Sequence, residues 1–169
     1  MEKLHLRALE MDDIETLFET ENDSSLWKYS HRNAPFSKYV LQKYLENQHL
    51  DMYEIRQQRF VLSMINSVPV GFVDLYDFEP FHRRAGVGLI ILEHYRRKGY
   101  ALQALELLEN YCIRFYNMHQ IYANIAAENT ESIQLFEKSK FECVGLKKQW
   151  NYYDGSFHDE YLYQKIVAS

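Results

Sequence analysis

The passage Val87-Gly88-Leu89-Ile90-Ile91-Leu92-Glu93-His94-Tyr95-Arg96-Arg97-Lys98-Gly99-Tyr100-Ala101-Leu102 restricts most what this chain can become. Val87 to Leu92 is almost continuously apolar, the pattern of a strand covered on both faces, and predicts a strand at the centre of a sheet. Downstream, Ala101, Leu105, Leu108, Cys112 and Phe115 recur at spacings of four and three, which lays an apolar stripe along a helix. Between the two lies a short basic loop with one glycine. The first N–H groups of a helix have no internal partner and sit at the positive end of its dipole, so this junction can hold an anion. Arg96, Arg97 and Lys98 add charge, and Gly99 lets a ligand approach the backbone closely. The phosphate-loop pattern G-x-x-x-x-G-K-[ST] and the dinucleotide pattern G-x-G-x-x-G are both absent. A solvated turn joining strand to helix accounts for the single glycine equally well.

The remaining pattern surrounds this unit with mixed elements. Leu4 to Leu9 alternates weakly as a strand. Asp12 with Glu15 resembles a capping box opening a helix with Ile14, Leu17 and Phe18 inward. Ser37 caps a second helix with Val40, Leu41, Tyr44 and Leu45 on one face. Phe60 to Ile65 and Val70 to Phe78 read as strands around a turn. Gln120 to Ala126 reads as a buried strand, and Asn129 as the cap of a helix carrying Ile133 and Phe136. Asp154–Gly155 between Trp150–Tyr153 and Ser156–Lys165 is a two-residue hairpin turn. The expectation is an α/β or α+β fold in one domain over residues 1–169, with a mixed sheet of about seven strands and about four helices.

Composition closes off other classes. With 19 Lys and Arg against 24 Asp and Glu, the net charge is −5, and sequence-independent nucleic-acid binding lacks its basic footprint. No apolar run reaches a membrane span, and Met1 to Arg7 lacks a signal-peptide pattern. Cys112 and Cys143 form no disulfide framework, and the reading is a cytoplasmic protein. The histidines show no metal-binding spacing, so no metal is expected. The 14 Tyr and 10 Phe are read as core and hairpin packing.

Arg96-Arg97-Lys98-Gly99-Tyr100-Ala101 resembles the R/Q-x-x-G-x-G/A signature of the GNAT superfamily of acetyl-CoA-dependent N-acetyltransferases. The likeness continues through Asn129, Ser132, Leu135, Phe136 and Phe141, and upstream through Val70-Gly71-Phe72-Val73-Asp74-Leu75 and His82-Arg83-Arg84-Ala85. It covers essentially the whole chain and is nearest the spermidine and ribosomal-protein N-terminal acetyltransferases. The resemblance implies that amides of Arg97, Lys98, Gly99, Tyr100, Ala101 and Leu102 cradle the CoA pyrophosphate, with Arg96 adjoining. It implies that Leu89, Ile90 and Ile91 pair with the pantetheine arm as an added strand. An amide near Ile91 would polarise the thioester carbonyl, and Asn129 and Lys138 would reach CoA from the next helix. Acetyl transfer would pass directly to a primary amine, a polyamine such as spermidine or else a protein N-terminus, in a homo-oligomer that is a dimer or larger.

Two departures bear on chemistry. Phe136 stands where the family usually has the tyrosine that protonates the leaving thiolate, and Gly86 stands where polyamine acetylators often have a glutamate. Water, Tyr95, Tyr122, Tyr152 or Tyr153 could stand in for the missing hydroxyl, and a protein that binds acetyl-CoA without catalysis is the alternative class. Lys140 replaces the usual glycine before Phe141. An amine with a reference pKa of about 10.4 costs about 4.6 kcal/mol to neutralise at pH 7. Asp74 and Asp77 are therefore candidates to hold a cationic acceptor or relay its proton, with Glu79, His82 and Glu128 behind them; a solvent-facing strand edge is the competing role for these two aspartates.

Overall fold

The computed structural model describes residues 3–167; the other four positions of the expected 1–169 span lie outside the described residues. One sheet contains β1 (Leu4–Arg7), β2 (Gln58–Met64), β3 (Pro69–Glu79), β4 (Arg84–Ile91), β5 (Gln120–Ala126), β6 (Glu142–Tyr153) and β7 (Ser156–Ile166). Their spatial order is β1-β2-β3-β4-β5-β7-β6, so the apolar run of β4 does lie at the centre. Every neighbouring pair is antiparallel except β4 and β5, which are parallel.

The period-2 alternation of the strands sorts side chains onto two helix layers. Phe60, Leu62, Val73, Leu75, Val87 and Ile91 form one core with Ala104, Leu105, Leu108 and Cys112 of α5 (Tyr100–Tyr116). Val61 and Phe72, from the opposite face, meet Leu17 of α1 (Ile14–Glu21) and Leu41 and Leu45 of α3 (Lys38–Glu46). Two short helices, α2 (Ser24–Ser30) and α4 (Met52–Ile55), were not expected; α6 (Thr130–Lys138) follows β5. Six α-helices among the described residues thus replace the expected four. Asp23 and Asp51 cap the two additions by accepting backbone N–H bonds.

Several details depart from the sequence pattern. The first capping box joins Glu10 and Asp13, whose carboxylate accepts from the Glu10 N–H at 2.8 Å, and not Asp12 and Glu15. Arg7 grips the same carboxylate at 2.7 and 2.8 Å, which fastens β1 to α1 and selects this start. Ser37 caps α3 through the Val40 N–H as expected, but the Val40 side chain faces solvent. On α5, Phe115 is exposed and its ring lies 4.6 Å from that of Tyr111 along the helix surface, outside the core.

The end of α6 has a specific geometry. The Phe141 N–H bonds the Phe136 carbonyl and the Lys140 N–H bonds the Glu137 carbonyl, both at 3.0 Å, with Lys140 left-handed at φ 68°. This is a Schellman ending, and its usual apolar contact is made by Phe136 and Phe141, 4.9 Å apart. Lys140 therefore holds the glycine conformation at a steric cost. Lys140→Gly should raise stability by about 0.5–1 kcal/mol, read as a higher urea midpoint at unchanged m-value. A lower midpoint would show that the lysine side chain contributes more than its backbone costs.

Candidate active site

β4 and β5 pair at only three positions, Arg84↔Gln120, Ala85↔Ile121 and Gly86↔Tyr122, and then part. The Leu92 N–H bonds the Val70 carbonyl at 2.9 Å, which sets the parity of the β3–β4 ladder. Residues in an antiparallel ladder alternate between bonding their neighbour and facing away. Gly88 and Ile90 therefore face β3, while Leu89 and Ile91 turn their backbone groups toward the opening. The Ala127 N–H bonds Asp159 at 3.0 Å and sets the same parity on β5, so Asn124 and Ala126 face the opening from the other side. The outermost carbonyls are taken locally. Arg96 Nε donates to Ile91 at 3.0 Å, and the Asn129 N–H donates to Ala126 at 2.9 Å. Of the expected trio, Leu89 and Ile91 present the free edge; the backbone of Ile90 is committed to β3.

The wide end of the opening meets the basic loop. No protein acceptor meets the N–H groups of Arg97, Lys98, Gly99, Tyr100, Ala101 or Leu102 among the described residues; the first partnered amide is Gln103, on Gly99 O at 3.3 Å. Gly99 caps α5 in the left-handed region at φ 79°, and Arg97 shares that region at φ 60°. Six consecutive free amides at the head of a 17-residue helix present their donors to an anion. The exposed side chains of Arg97 and Lys98 are available to it: Arg97 touches Glu131 only at 3.4 Å with both groups over 80% exposed, a contact worth little. Asn129 Oδ1 is spent on capping α6 through the Ser132 N–H at 3.1 Å. Asn129 and Lys138 both border the same cleft of about 1670 Å³.

The sheet face opposite α5 forms the other wall. Asp74 borders the cleft, but Arg59 holds both its oxygens at 2.6 and 2.9 Å and also bonds Glu21. Burial opposes the Arg59 charge, yet the two carboxylates keep it fully protonated. Asp77 is exposed and left-handed at φ 48°, where the β3–β4 register shifts. Further along, Glu160 is 2% exposed and accepts from Lys147 and from Asn151 at 2.8 Å, with His31 Nε2 3.2 Å from its carboxylate. Lys147 also donates to Asn124 Oδ1 at 2.8 Å, and Asn124 Nδ2 donates to the Tyr76 hydroxyl at 3.3 Å. Burial pushes the Tyr76 hydroxyl up to about 12, so it stays protonated.

Tyr76 explains Gly86. A Cβ on Gly86 would lie 2.2 Å from the Tyr76 ring, so the ring fills the space a side chain at position 86 would need. Sequence reasoning missed Tyr76, Asn124, Lys147, Glu160 and Arg59. The alternation of β3 puts Asp74 and Tyr76 on one face, which was a usable signal; the partners from β5, β6 and β7 had none. Phe136 borders the cleft with its ring packed on Phe141 and carries no hydroxyl. Of the four tyrosines considered in its stead, Tyr95 borders the cleft and Tyr122, Tyr152 and Tyr153 do not. No group of three or more metal-ligating side chains occurs among the described residues.

Among the described residues the sheet opens at its one parallel pair, with the free amides of a helix start at the mouth, an outline that fits an acyl-CoA-dependent acetyltransferase. The chain belongs to the acetyltransferase (GNAT) domain family, whose sequence profile matches residues 3–142. It is 26% identical over 157 residues to a spermidine N(1)-acetyltransferase of Vibrio cholerae, covering 93% of this chain and 89% of that one. It is 30% identical over 167 residues to an N-alpha-acetyltransferase of Saccharolobus solfataricus, with the same coverage of 93% and 89%. The crystal structure of a Vibrio cholerae spermidine N-acetyltransferase with CoA and spermine matches with TM-score 0.88 at 26% identity, over 97% of this chain and 95% of that one. A dodecameric Vibrio cholerae structure matches with TM-score 0.80 at 25% identity, over 97% and 94%.

Gly99→Asp adds a carboxylate among the free amides while aspartate still tolerates the left-handed backbone. CoA affinity should fall at least tenfold by calorimetry with the melting temperature nearly unchanged. Unchanged affinity in the folded variant would move the anion site elsewhere.

Proposed function

We propose that the chain transfers an acetyl group from acetyl-CoA directly to a primary amine, with a polyamine such as spermidine as acceptor. The observation that carries the reading is the continuity of two unpartnered surfaces: the β4 edge at Leu89 and Ile91 runs straight into the free amides of residues 97–102. An extended amide-bearing arm ending in a diphosphate fits that outline. Its arm adds to β4 as a strand, and its pyrophosphate accepts from the helix start. The diphosphate end lies next to Ile91, so the thioester lies deeper and the Leu89 N–H is the amide that polarises its carbonyl. Arg96, by holding the Ile91 carbonyl, ties strand to loop.

The acceptor wall supports a cation. Glu21, Asp74 and Asp77 carry three negative charges against the two of Arg59 and Arg32, whereas Lys147 and Glu160 cancel. Asp74 thus acts as a member of this excess charge, with its lone pairs held by Arg59. The likeness to the Vibrio cholerae spermidine enzyme points the same way. We read residues 1–169 as one such domain, in the cytoplasm; no described helix is long and apolar enough to cross a membrane. Trp150, Tyr152 and Phe157, each more than 60% exposed on the β6–β7 hairpin, suit a contact between copies in a homo-oligomer. A second reading, acetylation of a protein N-terminus, is favoured by the 30% identity to the archaeal N-alpha-acetyltransferase.

Release of CoA thiol, measured with spermidine, a monoamine of equal length and a short peptide, separates these readings. A desolvated charge-assisted contact contributes about 1.5–3 kcal/mol, so spermidine should exceed the monoamine by at least tenfold in kcat/KM. That advantage should shrink as salt rises. Preference for the peptide would establish the second reading, and CoA binding without thiol release for any amine would make the protein a non-catalytic binder.

A further inference from the structure

The geometry points to the Tyr76 hydroxyl as the hydrogen-bond donor to the departing CoA sulfur, in place of the hydroxyl that α6 lacks at Phe136. This rests on the acetyl-transfer reading and deepens it.

Two observations place the donor. The pairing Tyr76↔Gly86 and the last parallel pair Gly86↔Tyr122 put Tyr76 beside the apex of the opening between β4 and β5. A pantetheine arm entering from the amide loop, with its thioester carbonyl on the Leu89 N–H, points at that apex. The ring reaches it because Gly86 has no side chain; any Cβ there would collide with the ring carbons. The two departures of the sequence, Gly86 and Phe136, thereby become one exchange, a hydroxyl withdrawn from α6 and another extended from β3.

The direction of the hydroxyl is also set. Lys147 can only donate, so its bond to Asn124 Oδ1 turns the Asn124 amide nitrogen toward Tyr76. Tyr76 oxygen accepts from that nitrogen, and its own proton remains free for the cleft, which the residue borders. Glu160, bonded to Lys147, fixes the far end of the chain.

In the reaction the amine lone pair forms the C–N bond to the thioester carbon while the C–S bond breaks and its electron pair leaves with sulfur. Tyr76 donates to the negative charge gathering on that sulfur. The new amide nitrogen then sheds one proton, and the sulfur takes up one to end as the thiol, so the net proton count is unchanged for a neutral amine. The phenol lies near 12 against about 8.5 for a free thiol, which keeps the proton on oxygen. The role is donation, with no phenolate formed.

Tyr76→Phe keeps the ring over Gly86 and removes the hydroxyl, both the donor to sulfur and the acceptor of the Asn124 amide. Loss of a preorganised donor to developing charge costs about 10²–10³ in rate, and a sulfur acceptor is weaker than oxygen, so kcat with spermidine should fall roughly tenfold to hundredfold. KM for acetyl-CoA and the melting temperature should stay close to wild type. In that background Phe136→Tyr should recover at least tenfold of the lost kcat, a rescue that a packing role for Tyr76 would not produce. The inference is overturned if kcat of Tyr76→Phe stays within twofold of wild type, if acetyl-CoA binding falls together with rate, or if Phe136→Tyr rescues nothing. Failure of wild type to release thiol with any amine overturns the acetyl-transfer reading and this inference together; an active wild type with an equally active Tyr76→Phe overturns this inference alone.

Discussion

Everything functional in this fold depends on two strands that stop pairing. A parallel pair buried in a sheet normally satisfies its backbone along its whole length, because an unpaired buried peptide group costs about 1–3 kcal/mol. Here β4 and β5 separate after Gly86 and Tyr122. The chain limits the cost by closing the outermost carbonyls with its own groups, Arg96 on Ile91 and the Asn129 N–H on Ala126. What remains open, at Leu89, Ile91 and Asn124, is the gap between two parted strands, leading to the free amides before α5.

The surrounding architecture holds that gap in place. α5 packs through Leu105, Leu108 and Cys112 against the inward faces of β3 and β4, which fixes the helix start at the mouth of the opening. α6 is fixed at both ends, by Asn129 at its start and by the Schellman turn at Lys140, so the second wall is equally determined. The opposite face carries polar groups in a row, Arg59 with Asp74, then Tyr76 with Asn124, then Lys147 with Glu160. Each member is held by a neighbouring strand, so their geometry is a property of the sheet.

Local chemistry made much of this legible. The continuous apolar run located β4, the Gly99 loop located the helix start, Asn129 announced its own cap, and Asp-Gly announced the hairpin. α2 was hidden because it buries no residue fully, and α4 because four residues show no periodicity. Pairings between distant strands were hidden for a different reason. Asp74 is identical in sequence whether its carboxylate is free or clasped by Arg59, and only the β2–β3 register brings Arg59 opposite it. Gly86 reads in the sequence as a missing acid, whereas in the fold the Tyr76 ring occupies its space.

The central claim is that acetyl-CoA completes the sheet at the opening. Amide hydrogen exchange of the protein with and without CoA tests it most directly. Binding should slow exchange at Leu89 and Ile91 on β4 and across residues 97–102, while Gly88 and Ile90, already bonded to β3, change little. Saturating CoA that leaves Leu89 and Ile91 exchanging as in the free protein would contradict the account, wherever else protection appeared.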